Sequence, residues 1–138
     1  ARINFSEYLN HMTDKMFLSY GLNPAKVKLK REIDQVNLGI DNAIPCGLIV
    51  NELFSNSLKY AFPDNREGEI RVALSMNDNK EIELSVGDNG VGMPKDLDYK
   101  TTESLGLNLV NALVSQLRGR LEVHTNHRTE FKITFRSN

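Results

Sequence analysis

The 138 residues, of which 40% are hydrophobic and 25% charged, have the composition of one soluble globular domain that is long enough to bury a core. The formal net charge of −1 argues against nucleic acid or a membrane surface as a partner. No apolar run approaches the roughly 20 residues of a membrane span, and the N-terminus has no signal-peptide pattern, so we expect a cytoplasmic protein without membrane contact.

The first predicted elements are a helix and two strands. Apolar residues recur at helical spacing from Phe5 to Tyr20, with Asn4 or Ser6 as the cap of the helix and Gly21 as its stop signal. The alternating run KVKLKREI predicts a strand, and VNLGI predicts a second, short strand.

A long helix is predicted in the middle of the chain. It begins near Ile44, because Pro45 is tolerated only in a first turn, and it ends before Pro63. The only cysteine, Cys46, lies in its apolar run and is expected to be a buried structural thiol. The predicted core face of the helix consists of Leu48, Ile49, Leu53, Phe54 and Leu58.

The second half of the chain predicts two hairpins separated by a helix. The alternating runs EIRVALSMN and EIELSVGDN are joined by DNK, and GRLEVHTN with TEFKITFRS forms the other pair. Between them LGLNLVNALVSQL is an amphipathic helix, with Leu107, Val110, Leu113, Val114 and Leu117 on one face. This order predicts an α+β fold, a two-layer α/β sandwich in which a mixed, mostly antiparallel sheet is covered on one face by helices.

Three features place polar or glycine residues where a packed domain favours apolar ones. The first is a stripe on the long helix, where Glu52, Asn56 and Lys59 follow each other at spacings of four and three. A carboxylate and an amide at this spacing can share a hard cation, and the carboxylate can polarise a water. An exposed stripe with an ordinary Glu–Lys pair is the alternative.

The second feature is VGDNGVGMPKD. Asp88 ends a strand, and Gly90 and Gly92 follow at a spacing that permits close approach of the backbone to a ligand. The carboxylates of a calcium loop and the Gly-Lys-Ser/Thr ending of a P-loop are absent from the stretch. A turn that is rich in glycine and polar residues but binds no ligand is the alternative.

The third feature is SLGLNLV, in which Gly106 opens a helix after a segment with Thr101, Thr102 and Ser104. Free backbone N–H groups at a helix start, together with small hydroxyls, can form a phosphate site. Simple entry from a loop into a helix is the alternative.

In this order the three features resemble the GHKL ATPase superfamily, which includes gyrase-type topoisomerases, Hsp90-type chaperones, MutL-type repair proteins and histidine kinases. NELFSNSLKYAF resembles the N box (residues 51–62), DNGVGMP the G1 box (88–94) and SLGLNLV the G2 box (104–110). The resemblance covers residues 1–138 as a single domain. It is greatest to the catalytic, ATP-binding domain of sensor histidine kinases, which have a Bergerat fold.

The resemblance implies ATP and Mg²⁺ as ligands. It assigns to Asp88 the hydrogen bond from the adenine amino group, and to Gly90 and Gly92 the close passage of backbone near the base. Tyr60 is expected to pack near the adenine or ribose, and Met93 against the base.

The phosphate end of the site follows from the same resemblance. Asn56 is expected to coordinate Mg²⁺, Lys59 to reach the phosphates, and Gly106 and Leu107 to present backbone donors. Residues 95–105 would form the ATP lid, which contains Thr101 and Thr102.

Two departures from the family pattern concern catalysis. Many histidine kinases have Asn where this chain has Glu52, and glutamate there resembles the water-activating base of the hydrolysing members. The balance between phosphotransfer and hydrolysis is therefore open. The lid is also short, without a phenylalanine-centred F box between Asp96 and Ser104.

The implied activity is that of a histidine kinase, which transfers the ATP γ-phosphoryl group to a histidine on a dimerisation domain and then to a response regulator. None of His11, His124 and His127 has the expected acceptor setting. The dimerisation and acceptor helices are therefore expected to lie upstream of Ala1. The alternatives are a stand-alone GHKL ATPase or an anti-sigma-factor-type serine kinase, and a non-catalytic nucleotide-sensing module.

Overall fold

The structure, a computed structural model, describes residues 2–92 and 106–137. Its helices are α1 (Phe5–Ser19), α2 (Ile40–Tyr60) and α3 (Leu107–Gln116), and a short 3-10 turn covers Pro63–Asn65. Its strands are β1 (Arg2–Asn4), β2 (Val27–Ile33), β3 (Asn37–Gly39), β4 (Gly68–Met76), β5 (Glu81–Asp88), β6 (Arg120–His124) and β7 (Thr129–Arg136). No helix within the described ranges is both long and apolar enough to cross a membrane.

Five strands form the main sheet, in the order β2-β4-β5-β7-β6. The two predicted hairpins, β4–β5 and β6–β7, are confirmed, and β5 pairs with β7 in antiparallel orientation. The pair β2–β4 is parallel, which makes the sheet mixed, as predicted. The long connection through α2 returns the chain to the same end of the sheet, as parallel pairing requires.

The two faces of the sheet differ in polarity, as the alternating sequence predicts. The inner face is buried under the helices and carries Ile70, Val72, Leu74, Ile82, Leu84, Val86, Phe131, Ile133 and Phe135. On the outer face Arg71 bridges Glu32 and Glu130, at 2.8 Å and 3.3 Å. The fold is the predicted α+β sandwich with a mixed, mostly antiparallel sheet and helices on one face.

The first helix is fixed at its start by two polar residues. Asn4 is the cap, because its Oδ1 accepts a hydrogen bond of 3.1 Å from the backbone N–H of Glu7. Ser6, the other candidate, instead accepts from the N–H of Val36 at 2.6 Å and so attaches α1 to the segment before β3. The strand β1 was not predicted, because three residues that pair only with β3 leave no alternation to detect.

The long helix begins at Ile40, four residues before the predicted start at Ile44, so Pro45 lies inside it. The proline removes only the hydrogen bond that its own N–H would donate to the carbonyl of Asp41, an exposed residue. Burial of Asn42 and Ala43 beside the core extends the helix beyond the proline. Leu48, predicted for the core face, is 46% exposed, whereas the other four predicted core residues are buried.

Candidate functional site

The predicted stripe lies on the C-terminal half of α2. Glu52 and Asn56 are half-buried, whereas Lys59 is exposed. The Nζ atom of Lys59 lies 6.0 Å from the ring centroid of Tyr20, which follows α1. The ammonium group therefore rests against an aromatic face, at the outer limit of a cation–π contact.

Asp88 ends β5 beside this helix, and both of its carboxylate oxygens have protein partners. The hydroxyl of Ser57 donates to Oδ2 at 2.6 Å, and the backbone N–H of Gly90 donates to Oδ1 at 3.0 Å. Each carboxylate oxygen has a further lone pair with which it can accept a hydrogen bond from a ligand. The structure thus orients the residue that was predicted to recognise adenine.

Ser57 was missed by the sequence analysis. It is buried, with 6% of its surface exposed, and it follows Asn56 directly. A hydroxyl at a buried position of an apolar helix face needs a hydrogen-bond partner, which was the available signal. That signal does not identify the partner, because Asp88 lies 31 residues further along the chain.

The glycine at position 90 allows the chain after β5 to approach the end of α2. A Cβ atom at this position would overlap the carbonyl oxygen and Cβ of Ala61. The next residue, Val91, donates its N–H to that carbonyl at 2.9 Å. Contact with α2 therefore accounts for the requirement for glycine here, in addition to the predicted approach to a base. Gly92 is exposed, next to the gap in the described residues.

The start of α3 meets the stripe on α2. Gly106 is the N-cap of α3, with a φ of 67°, and its missing side chain leaves room for the Glu52 carboxylate. Leu107, the first residue of α3, is buried, so its side chain belongs to the core. The structure thus brings Glu52 and the N-terminus of α3 together, although 54 positions separate Glu52 from Gly106 in the sequence.

The remaining predicted residues are less closely grouped. Tyr60 follows Lys59 at the end of α2 and is 56% exposed. Met93, Thr101, Thr102 and the predicted lid of residues 95–105 lie outside the described residues.

Two ends of one site can be distinguished by their chemistry. At one end a carboxylate, Asp88, is fixed by neutral donors. At the other end, Asn56 and Glu52 supply the amide and carboxylate oxygens that Mg²⁺ prefers, next to the N-terminal N–H groups of α3, which favour an anion. One or two protein oxygens suit a magnesium ion that is also held by phosphates. The residues present therefore fit a nucleotide with its metal.

The fold and this site define the ATP-binding catalytic type of domain found in histidine kinases. Residues 41–138 match the family described as histidine kinase-, DNA gyrase B-, and HSP90-like ATPase. The chain belongs to this family.

Two curated relatives are sensor kinases. The chain is 31% identical over 97 residues to blue-light-activated histidine kinase 2 of Erythrobacter litoralis. The matched region is 70% of this chain and 28% of that relative. It is 30% identical over 97 residues to the sensor histidine kinase PdtaS of Mycobacterium tuberculosis, and here the matched region is 69% of this chain and 19% of that relative. The matched region is thus less than a third of either relative's length.

Solved structures agree with this placement. The histidine kinase domain of a blue-light-activated histidine kinase from Erythrobacter litoralis superposes with a TM-score of 0.89 at 27% identity, over 96% of this chain and 61% of that chain. The histidine kinase AdeS of Acinetobacter baumannii gives a TM-score of 0.80 over 100% of this chain and 67% of that chain. At 18% identity the second likeness shows the fold alone.

Proposed function

We propose that this chain binds Mg·ATP and transfers the γ-phosphoryl group to a histidine on a separate dimerisation domain, from which a response regulator receives it. The observation that carries this proposal is the contact between the Glu52 carboxylate and Gly106, which places the stripe of α2 at the N-terminus of α3. Cation ligands and anion-binding N–H groups are needed at the same place when a metal-bound triphosphate is held.

The residues have distinct roles in this proposal. Asp88 accepts a hydrogen bond from the adenine amino group, while Ser57 and Gly90 hold its carboxylate in position. Asn56 provides the oxygen for Mg²⁺, which neutralises charge on the phosphates when bound. Lys59 leaves the ring of Tyr20 and turns to the phosphates, a movement that costs little because both side chains are exposed.

The chemistry requires an acceptor held in line with the γ-phosphorus. A phosphorus–nitrogen bond to the acceptor imidazole forms as the bond to the β-phosphate oxygen breaks, and the imidazole proton is released. Glu52 lies beside the N-terminus of α3, where it can accept that proton or one from water. The three histidines of this chain are exposed on α1, at the end of β6 and in the turn before β7. A cytoplasmic location belongs to the same proposal, since ATP and response regulators are found there.

The test measures whether the phosphoryl group that the chain transfers is labile in acid. The chain is incubated with γ-labelled ATP, first alone and then with the separately purified acceptor region of the complete protein. We expect no stable labelling alone and an acid-labile, base-stable phosphoryl group on the acceptor region. Acid-stable label on a serine of a partner would instead establish the anti-sigma-factor-type kinase. Hydrolysis without transfer to any added protein would instead establish a stand-alone ATPase. The observation that favours this alternative is the position of the Glu52 carboxylate beside Gly106.

A further inference from the structure

A cleft of about 620 Å³ lies at the end of the α2–α3 pair that is remote from the nucleotide site. Its walls are formed by Ile40, Asp41, Asn42, Ile44, Pro45, Gln116, Leu117, Arg118, Arg136 and Ser137. Asn42 and Asn56 are 14 positions apart on one helix, so this cleft is about 21 Å from the predicted metal ligand at the helical rise of 1.5 Å per residue. Its volume is within the range of small-molecule sites.

Asn42 is a buried amide that lacks a partner. The residue is 6% exposed, and its Nδ2 makes no hydrogen bond with any described group. Leaving a buried donor unsatisfied is costly, so the site is complete only when an acceptor is supplied. Asn42 is also among the residues that line the cleft, so an acceptor bound there lies next to this amide.

Arg118 contributes a positive charge to the same cleft. It follows α3 in the left-handed conformation, with a φ of 55°. Its backbone N–H donates to the carbonyl of Ser115, and the N–H of Gly119 donates to the carbonyl of Val114. Glycine is the usual residue at a position such as 118, directly after a helix C-cap, because a side chain there strains the left-handed backbone. Within the described residues, the guanidinium of Arg118 has no carboxylate partner.

The first turn of α2 adds further donors. Gly39, its N-cap, has no side chain with which to satisfy the N–H groups that follow. Two other charged groups line the cleft. Asp41 opposes an anion, whereas Arg136 favours one and donates to the carbonyl of Asn79 at 3.1 Å. The balance of lining charges is positive, with two arginines against one aspartate.

Part of the remaining lining of the cleft is apolar, beside the polar Gln116 and Ser137. Ile40 and Ile44 lie one helical turn apart and are 54% and 56% exposed, and Leu117 and Pro45 continue the same lining. An inorganic ion alone would leave this surface uncovered. A ligand with an apolar body would cover it and bury its hydrocarbon.

We propose that this cleft binds a small organic acid. Its carboxylate or phosphate group accepts hydrogen bonds from Asn42 and Arg118 and lies at the start of α2, while its hydrocarbon part covers Ile40 and Ile44. The site goes beyond the proposed kinase function and does not depend on it, because none of these residues belongs to the nucleotide site.

A matched series of probes tests the chemistry. Hexanoate, hexan-1-ol and hexylamine are titrated into the 138-residue chain while ¹H–¹⁵N spectra are recorded. We expect saturable shifts of the Asn42 side-chain N–H₂ group and of the backbone N–H groups of residues 40–43 with hexanoate, and no saturation with the alcohol or the amine. Hexyl phosphate, in a parallel titration, reports which acidic group binds more tightly. Equal shifts with hexanoate and hexan-1-ol would overturn the proposal.

Two arginine variants provide the second measurement. Arg118→Gln removes the charge from the cleft, and Arg118→Gly also relieves the backbone strain, so neither is expected to unfold the domain. Both should weaken hexanoate binding by about tenfold, the worth of a charged hydrogen bond. The control is Arg128→Gln, an exposed arginine that lies 3.7 Å from Glu69 and does not line the cleft. Unchanged hexanoate affinity in both Arg118 variants would overturn the proposal.

Discussion

The Ser57 hydroxyl donates a hydrogen bond of 2.6 Å to Oδ2 of Asp88, which joins α2 to the end of β5. The neighbouring Asn56 is the predicted metal ligand. One helix therefore carries, at successive positions, the predicted metal ligand and the group that orients the carboxylate predicted to recognise the base. Displacement of α2 would disturb both ends of the nucleotide site together.

Ser57→Ala should weaken ATP binding. The change corresponds to roughly 0.5–1.5 kcal/mol, or about two- to tenfold in Kd, because Asp88 loses one of the two hydrogen bonds that orient its carboxylate. The matched control is Ser55→Ala, a buried serine on the same helix whose hydroxyl donates, among the described residues, to the carbonyl of Glu52 at 3.2 Å. Calorimetry with ATP measures both, and equal losses in the two variants would contradict the role of Ser57.

Asp88→Asn should reduce ATP affinity by about tenfold or more, because an amide presents a donor where the adenine amino group needs an acceptor. The side chain is nearly isosteric, so the thermal midpoint should change little. Calorimetry with ATP and with GTP compares the bases, since guanine lacks the amino group at that position. An unchanged affinity for ATP in a folded variant would refute the adenine contact.

Glu52→Gln should lower the basal ATPase rate by about 10²-fold without abolishing ATP binding, if the carboxylate activates water. The amide retains the size of the side chain and its place beside Gly106. Steady-state hydrolysis and calorimetry on the same preparation separate the two effects. A hydrolysis rate equal to that of the unaltered chain would rule out this role.

Gly106→Ala should destabilise the domain and weaken ATP binding, because the new Cβ atom would overlap the Glu52 carboxylate at the start of α3. Gly21→Ala is the matched control, since Gly21 has a nearly identical φ of 66° and no atom within 4 Å of the place that a Cβ would occupy. Both changes incur the left-handed strain of roughly 1–2 kcal/mol. Moving the flexible Glu52 side chain aside should add about 0.5–1.5 kcal/mol in Gly106→Ala alone.

Thermal or urea unfolding measures this difference, and a double variant sharpens it. Truncating Glu52 to alanine in the Gly106→Ala background should recover the excess loss but not the strain. Equal destabilisation by Gly21→Ala and Gly106→Ala would contradict the contact between Glu52 and position 106.

Cys46 should react with a thiol reagent only after unfolding. Burial raises the pKa of its thiol from 9.0 to about 12, so the reactive thiolate is scarce in the folded chain. Between these two values the unfolded chain is ionised and the folded chain is not, so this thiol lowers stability as pH rises from 9 to 12. Labelling in urea should reach one thiol per chain, and rapid native labelling would contradict the burial.

The sequence predicted the parts of this molecule that depend on local pattern. The hairpins, the buried face of α3 and the positions of Asp88 and Gly106 at element ends all follow from alternation, helical spacing and glycine placement. Pairings between distant segments did not follow. The parallel pair β2–β4 and the Ser57–Asp88 hydrogen bond join residues tens of positions apart, and no local signal specifies them.

Two predictions about the first half of α2 were wrong. Pro45 was placed in a first turn, although one missing hydrogen bond costs less than the burial gained by extending α2. Leu48 was placed in the core because it is apolar, although the helical period turns it outwards, where it lines a groove of about 390 Å³ with Tyr8. Both residues lie on the half of α2 that is remote from the nucleotide site.

Pro45 has a further consequence for the motion of α2. Since the Asp41 carbonyl receives no N–H from position 45, the ladder of backbone hydrogen bonds is interrupted near the Gly39 end. Opening of the first turn therefore does not require the bonds beyond the proline to break. The i→i−4 pattern gives Ala43 and Ile44 the helical hydrogen bonds that precede the proline. Their amide hydrogens should exchange with solvent much faster than those around Asn56, and the second half of the helix keeps its geometry while the first turn frays.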